Sequence, residues 1–184
     1  SARVIDQAGL AEKITVINYA FGAPGPDPSG QRVGVVFRDA AAAYQRHYSP
    51  AESVNGSADA PDQPLRGHFN HLRQLKARHP HLKVVVSLGG WTDSTWFSDA
   101  ARTPEAREMF VASCIDTYIH GHLPVENGAG GPGAAAGVFD GIDIDWEYPT
   151  SNAAGISSSP DDTKNVTLLM RDIRKAIGPK KLLT

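Results

Sequence analysis

Apolar positions along this chain follow two spacings, and these alternate. The run Ile14-Thr15-Val16-Ile17-Asn18-Tyr19-Ala20-Phe21 has the composition of a buried strand, and Val4 to Leu10 before it suits the end of a helix. Gly22 to Gly30 is rich in Pro and Gly and is expected to be a loop. Asp39 to Tyr48 predicts a short helix. Ser49 to Pro64 predicts an extended loop, and so long an irregular stretch after a strand points to function. From Gly67, apolar residues recur at helical spacing (Phe69, Leu72, Leu75) until His79-Pro80 stops them. Lys83 to Leu88 then reads as a second buried strand, with its inward face along Val84 and Val86. Thr103-Pro104-Glu105 supplies an N-cap, a proline at the first helical position and an acid in the first turn. The helix it starts carries Met109, Phe110, Cys114, Ile115 and Tyr118 on one face, with Gly121 closing it. Asn127 to Gly137 is Gly/Ala-rich and predicts a mobile connector. After a strand centred on Ile142, Thr150 to Ser159 reads as a loop of small residues. Pro160-Asp161-Asp162 opens a last helix, which presents Val166, Leu169, Met170, Ile173 and Ile177 inward and ends at Gly178-Pro179. Lys181 to Thr184 begins another strand. Repeated strand and helix predict an α/β fold with a parallel sheet, without internal repeats or a second domain.

Composition narrows the choice of partners. The 184 residues are 41% hydrophobic and 21% charged, with a formal net charge of -2. That balance offers no electrostatic footprint for nucleic acid or an anionic membrane. No apolar run approaches the ~20 residues of a membrane span. The chain opens without Met or a leader, which predicts a mature or trimmed chain. One cysteine, Cys114, excludes an intramolecular disulfide, and its apolar helical setting makes it a small filler rather than a nucleophile. Six of the seven histidines fall in close pairs at 68/71, 79/81 and 120/122. They lie at helix ends and in loops without acid-histidine sets at zinc spacing, so solvated or capping roles are expected and no metal.

The chemistry concentrates in Phe139-Asp140-Gly141-Ile142-Asp143-Ile144-Asp145-Trp146-Glu147-Tyr148-Pro149. As a strand, this stretch sends Ile142, Ile144 and Trp146 to one face and Asp143, Asp145 and Glu147 to the other. The three carboxyls then sit about 7 Å apart in succession. They cannot all ionise cheaply in a confined site, so at least one pKa should rise and a proton be shared. A solvated acidic face or a cation site is the bland alternative; apolar partners behind the acids favour chemistry. Pro149 ends the ladder and leaves Glu147 at the strand's C-terminal tip, where α/β barrels build active sites. Gly89-Gly90 lets the backbone turn and something approach closely, and Trp91 follows at the same rim. Trp96 and Phe97 are expected to plug the loop into the core.

Asp140-Gly141-Ile142-Asp143-Ile144-Asp145-Trp146-Glu147 resembles the DxxDxDxE signature of the family 18 glycoside hydrolases, the chitinases and their relatives. Ser87-Leu88-Gly89-Gly90, followed by Trp91, is similar to the family's SxGG motif, and Ile17 to Phe21 looks like its second barrel strand. The resemblance implies a parallel (β/α)8 barrel of which the chain holds about the second to fifth strands, residues 1–184 forming part of a single catalytic domain. The remainder of the barrel is therefore expected elsewhere. It also implies a secreted enzyme that cleaves chitin or chito-oligosaccharides by a retaining, substrate-assisted route, with no cofactor and no metal. Glu147 is then the proton donor. Asp145 orients the substrate acetamido group and Asp143 shares a proton with Asp145. Ser87 hydrogen-bonds the acids from the neighbouring strand, Gly89 and Gly90 support the turn, and Asp140, off the alternation, is structural. Trp91, Thr92, Tyr148 and Phe21 line the sugar cleft. Non-proline cis peptides are implied at Ala20-Phe21 and Glu147-Tyr148. An endo-N-acetylglucosaminidase of the same family and a catalytically silent lectin are the alternatives; such lectins lose the final glutamate, which this chain keeps.

Overall fold

A computed structural model describes the backbone of residues 1–184 and all side chains except that of Ala154. The chain forms two compact units. One comprises Ser1–Ile17, Asp39–Val84 and Thr117–Asp140; the other comprises Asn18–Arg38, Val85–Asp116 and Gly141–Thr184.

In the first unit, helix α1 (Ala2–Gln7) and a 3-10 turn at Leu10–Lys13 lead towards strand β1 (Val16–Pro26). Helix α2 spans Gly67–Arg78, within the limits that the glycine and His79-Pro80 predict. Leu75 and Leu82 pack with Ala11 and Val54, and Ala2, Ile5, Ile14 and Ile17 flank them. A second group sets Phe69 and Tyr118 edge-on to Phe139, at 5.0 and 5.3 Å between ring centres. The irregular stretch from Ser49 to Pro64 is tied down by Asp59, whose carboxylate accepts from Tyr48 N, Gln63 Nε2 and Asn70 Nδ2. The helix expected after Asp39 is a single π turn, Ala41–Gln45.

The connector expected from Asn127 is instead a hairpin: β4 (Leu123–Glu126) pairs antiparallel with β5 (Ala129–Gly131). Arg66 Nη2 donates to Asn127 O at the turn, and Gly130 N to Pro64 O. Glycine composition reads as flexibility, but here positive φ at Asn127 and Gly128, the two residues between Glu126 and Ala129, is what lets the chain reverse tightly. His71 also departs from expectation. It is buried against the Tyr48 ring, with 4.2 Å between ring centres, and burial pushes its pKa down.

The second unit carries all but the first residues of β1 and β3 in a five-stranded sheet of order β2-β1-β3-β6-β7, with β2 at Val33–Val36, β3 at Lys83–Gly89, β6 at Gly141–Asp145 and β7 at Leu182–Leu183. β3, β6 and β7 run parallel, as repeated strand and helix predict. The Pro/Gly stretch after Phe21, expected to be a loop as far as Gly30, is strand up to Pro26 and a turn only beyond it. β1 continues to Pro26 and forms an antiparallel hairpin with β2. An antiparallel edge uses the N–H of every second residue, so prolines at 24 and 26 fit with their donor-less side turned away from β2. Asp27 closes the turn by accepting from Ser29 N, Ser29 Oγ and Gln31 N.

The β3–β6 register pairs Val85 with Gly141, Ser87 with Asp143 and Gly89 with Asp145. Val86 and Leu88 therefore share the face of Ile142 and Ile144. Val84 and Val86, expected on an inward face open to water, lie on the face opposite Asp143 and Asp145 and are fully buried. Helix α3 (Phe97–Ala101), α4 (Pro104–Cys114, continued by a π turn to Ile119) and α5 (Asp162–Ile177) complete the elements. Gly34 of β2 faces Ser113 of α4, whose hydroxyl accepts from Val35 N at 2.9 Å. Arg107 of α4 reaches Asp172 of α5 at 2.8 Å. Leu169 and Ile173 are buried as the helical spacing predicts. Cys114 is buried, and burial pushes its thiol pKa up, which suits a filler.

Candidate active site

β6 delivers the acids, but it ends sooner than Pro149 suggests. Its partner β3 stops at Gly89, opposite Asp145. Among the described residues, β3 offers Glu147 no ladder partner beyond that point. The Glu147 N–H instead donates to Ser94 Oγ at 2.9 Å. The peptide bonds Ala20-Phe21 and Glu147-Tyr148 are both cis, at the two places the resemblance implies.

Asp143 is held on both sides. Ser87 Oγ donates to its Oδ2 at 2.6 Å, and Thr184 Oγ1 to its Oδ1 at 2.7 Å. Asp145 is half-buried beside it. Burial pushes the Asp145 pKa above the ordinary carboxylate value, and the Glu147 and Asp143 charges and a hydrogen bond with Glu147 push it further. Tyr148 also stands above its usual value, through its hydrogen bond with the Glu147 carboxyl and that group's charge. Phenol, glutamate and aspartate form one chain of contacts at the end of β6.

Asp140 lies apart from this row. Its carboxylate accepts from Val84 N at 2.9 Å and pairs with Lys76 Nζ at 2.6 Å, fastening the start of the strand.

Gly89 and Gly90 adopt φ of +107° and +77°. A Cβ at Gly89 would lie 2.5 Å from both Asp145 O and Phe97 Cε2, and one at Gly90 would lie 2.9 Å from Phe21 Cζ. What approaches these glycines is the chain itself. Trp146 stacks on Phe97 behind the acids at 5.4 Å, and Phe97 is fully buried. Trp96, expected in the core beside Phe97, is only half-buried. It lines a cavity of about 490 Å³ with Arg32, Arg102 and Met109.

The residues expected at the cleft are open to solvent: Trp91 is 55% exposed, Phe21 49% and Tyr148 44%, with Thr92 exposed next to Trp91. Phe21 and Tyr148 join the acids and the glycine turn directly. Trp91 and Thr92 ride on the loop that follows, which the Arg38–Asp93 ion pair at 2.9 Å anchors. Sequence reasoning passed over Thr184 and Ser94. Small hydroxyl residues without a motif carry no signal of their partners.

The chain belongs to family 18 of the glycosyl hydrolases: the profile described as Glycosyl hydrolases family 18 matches residues 2–184. It is 42% identical over 178 residues to Chitinase C of Streptomyces lividans, covering 96% of this chain and 25% of that protein. It is 36% identical over 203 residues to Chitinase A1 of Niallia circulans, covering 94% of this chain and 26% of that one. Among solved structures, it is similar to the catalytic domain of the psychrophilic chitinase B from Arthrobacter TAD20. That match has a TM-score of 0.92 and 43% identity, and spans all of this chain and 47% of the other. The chain thus spans about a quarter of the length of these curated relatives and about half of that catalytic domain.

Proposed function

We propose that these residues carry the acid-base centre of a chitinase, which hydrolyses β-1,4-linked N-acetylglucosamine in chitin or its oligomers. The observation that carries the reading is the row Asp143, Asp145, Glu147, in which Asp145 titrates above the ordinary carboxylate value beside Glu147. The open aromatics Phe21 and Tyr148, with Trp91 on the loop that follows the glycine turn, offer faces on which sugar rings can stack.

In this reading Glu147 protonates the glycosidic oxygen as the bond to the anomeric carbon breaks. The substrate's own acetamido oxygen attacks that carbon and closes a cationic oxazolinium ring. Asp145 accepts from the acetamido N–H and stabilises the positive charge, and Asp143, secured by Ser87, shares its proton. Water then opens the ring, and Glu147 takes a proton from that water. Configuration is retained without a protein nucleophile and without a metal or cofactor. The family match and the likeness to half of a chitinase catalytic domain support reading residues 1–184 as part of one (β/α)8 catalytic domain of a secreted enzyme.

The test is hydrolysis of N-acetylglucosamine oligomers by the full-length protein and its Glu147→Gln variant. Loss of a general acid should lower turnover by at least ~10²-fold and leave sugar binding nearly unchanged. Near-parental turnover in Glu147→Gln would remove the assignment.

A further inference from the structure

Ser94 is fully buried, yet it lies on the loop between the glycine turn and α3 rather than in a packed element. Its hydroxyl oxygen accepts the Glu147 N–H at 2.9 Å. Its single proton is offered to Gly90 O at 2.8 Å and Asp145 O at 3.1 Å. Gly90 N also donates to Asp145 O at 2.8 Å. Three backbone groups, from the tip of β3, the last residue of β6 and the acid beyond it, thus meet on one side chain. Glu147 has left the β ladder, so this bond takes the place that a strand partner would have had. The peptide plane before Glu147 sets the direction of its Cα–Cβ bond, and with it the reach of the carboxyl.

We propose that Ser94 is a positioning residue: it aims the Glu147 carboxyl at the glycosidic oxygen by holding the Glu147 backbone to the tips of β3 and β6. The role rests on Glu147 being the proton donor. Displacement of a catalytic group by about 1 Å can cost on the order of 10²-fold, so the effect belongs in kcat. It also belongs to one kind of substrate. A sugar leaving group must be protonated to depart, whereas an acidic phenol departs as its anion with little help.

The experiment compares Ser94→Ala with the parent in the full-length protein, on an N-acetylglucosamine oligomer and on the dinitrophenyl glycoside of a shorter oligomer. On the oligomer, kcat should fall about 10- to 100-fold, with KM little changed. On the dinitrophenyl substrate the loss should nearly vanish in kcat/KM, which reports bond breaking and not the later water attack that Glu147 also assists. Ser94→Cys keeps the side chain's shape with a weaker acceptor, and should show the same pattern at smaller amplitude even if the alanine variant folds poorly. Equal losses on both substrates, or a change in KM alone, would overturn the role, because general damage to the cleft does not sense the leaving group. Glu147→Gln run alongside separates the two ideas. If it loses the oligomer but keeps kcat/KM on the dinitrophenyl substrate while Ser94→Ala and Ser94→Cys match the parent, only the Ser94 role falls. If Glu147→Gln hydrolyses the oligomer like the parent, the acid assignment falls and takes this role with it.

Discussion

Ser87 and Asp143 are direct partners in the parallel ladder between β3 and β6, and the Ser87 hydroxyl donates to Asp143 Oδ2 at 2.6 Å. Shared register on one sheet face is what joins the two family motifs. The same alternation that aligns the acids along β6 brings the serine of the other motif under the first of them.

Asp145 should respond to its neighbour. Its carboxyl is raised first by burial and then by the Glu147 and Asp143 charges. Glu147→Gln deletes one of those charges and should shift the Asp145 midpoint down, as followed by carboxyl carbon NMR. An unmoved midpoint would mean that burial acts alone. Stability is linked to this shift. A folded pKa above 3.8 lets the native state keep a proton that the unfolded chain has lost. Stability from this group therefore declines as pH rises from 3.8 through the folded value, and the deficit is constant above it. Glu147→Gln should flatten that decline in denaturant midpoints taken across the acid range.

Asp140→Ala should destabilise the protein by about 2 kcal/mol, the scale of a hydrogen bond to a charged group. It removes the acceptor of Val84 N–H and strands the Lys76 ammonium, whose side chain is only 17% exposed. Urea denaturation checks this. A cost within a few tenths of a kcal/mol would show that water replaces the carboxylate freely.

Gly89→Ala combines φ of +107° with a Cβ forced against Asp145 O and Phe97. The conformational penalty and the overpacking together should cost roughly 3 kcal/mol. Neither contact is the far end of a flexible chain: one is backbone and the other a buried ring. Thermal melting of the variant measures the cost, and a parental melting point would refute the close approach.

His79 sits between Asp6 and Glu12, each 2.8 Å from a ring nitrogen. The hydrogen bond to Asp6, helped by that to Glu12, raises the His79 pKa above 6.5, and the bond to His79 holds Asp6 below 3.8. The histidine's contribution is complete below pH 6.5 and fades as pH climbs through its folded value. The Asp6 contribution is present above 3.8 and fades as pH drops through its folded value. His79→Ala should therefore destabilise more at pH 6 than at pH 9 in chemical denaturation. An equal cost at both would assign the effect to packing.

Local pattern was enough for much of this. Helix limits at Gly67, Pro104 and Gly178, the buried strand before Gly89 and the order of acids on β6 all follow from residue spacing. So does the separate role of Asp140, since its side chain falls off the alternation. These features depend on φ preferences and on which face a residue takes, and both are properties of a few consecutive residues. The hairpin through Pro24 and Pro26 was not legible, because a proline is tolerated or not according to which edge carries a partner. The face of Val84 and Val86 was read wrongly for a similar reason: alternation separates two faces, and only the pairing of Ser87 with Asp143 says which one the acids share. Ser94 and Thr184 lie further still from local reading. Each is a common hydroxyl residue, and its meaning comes from reaching across the fold, over 53 residues to Glu147 and 41 to Asp143. Spacing along one strand can place three acids in a row. Where the strand stops, and what then holds the last acid, depends on where its neighbour ends.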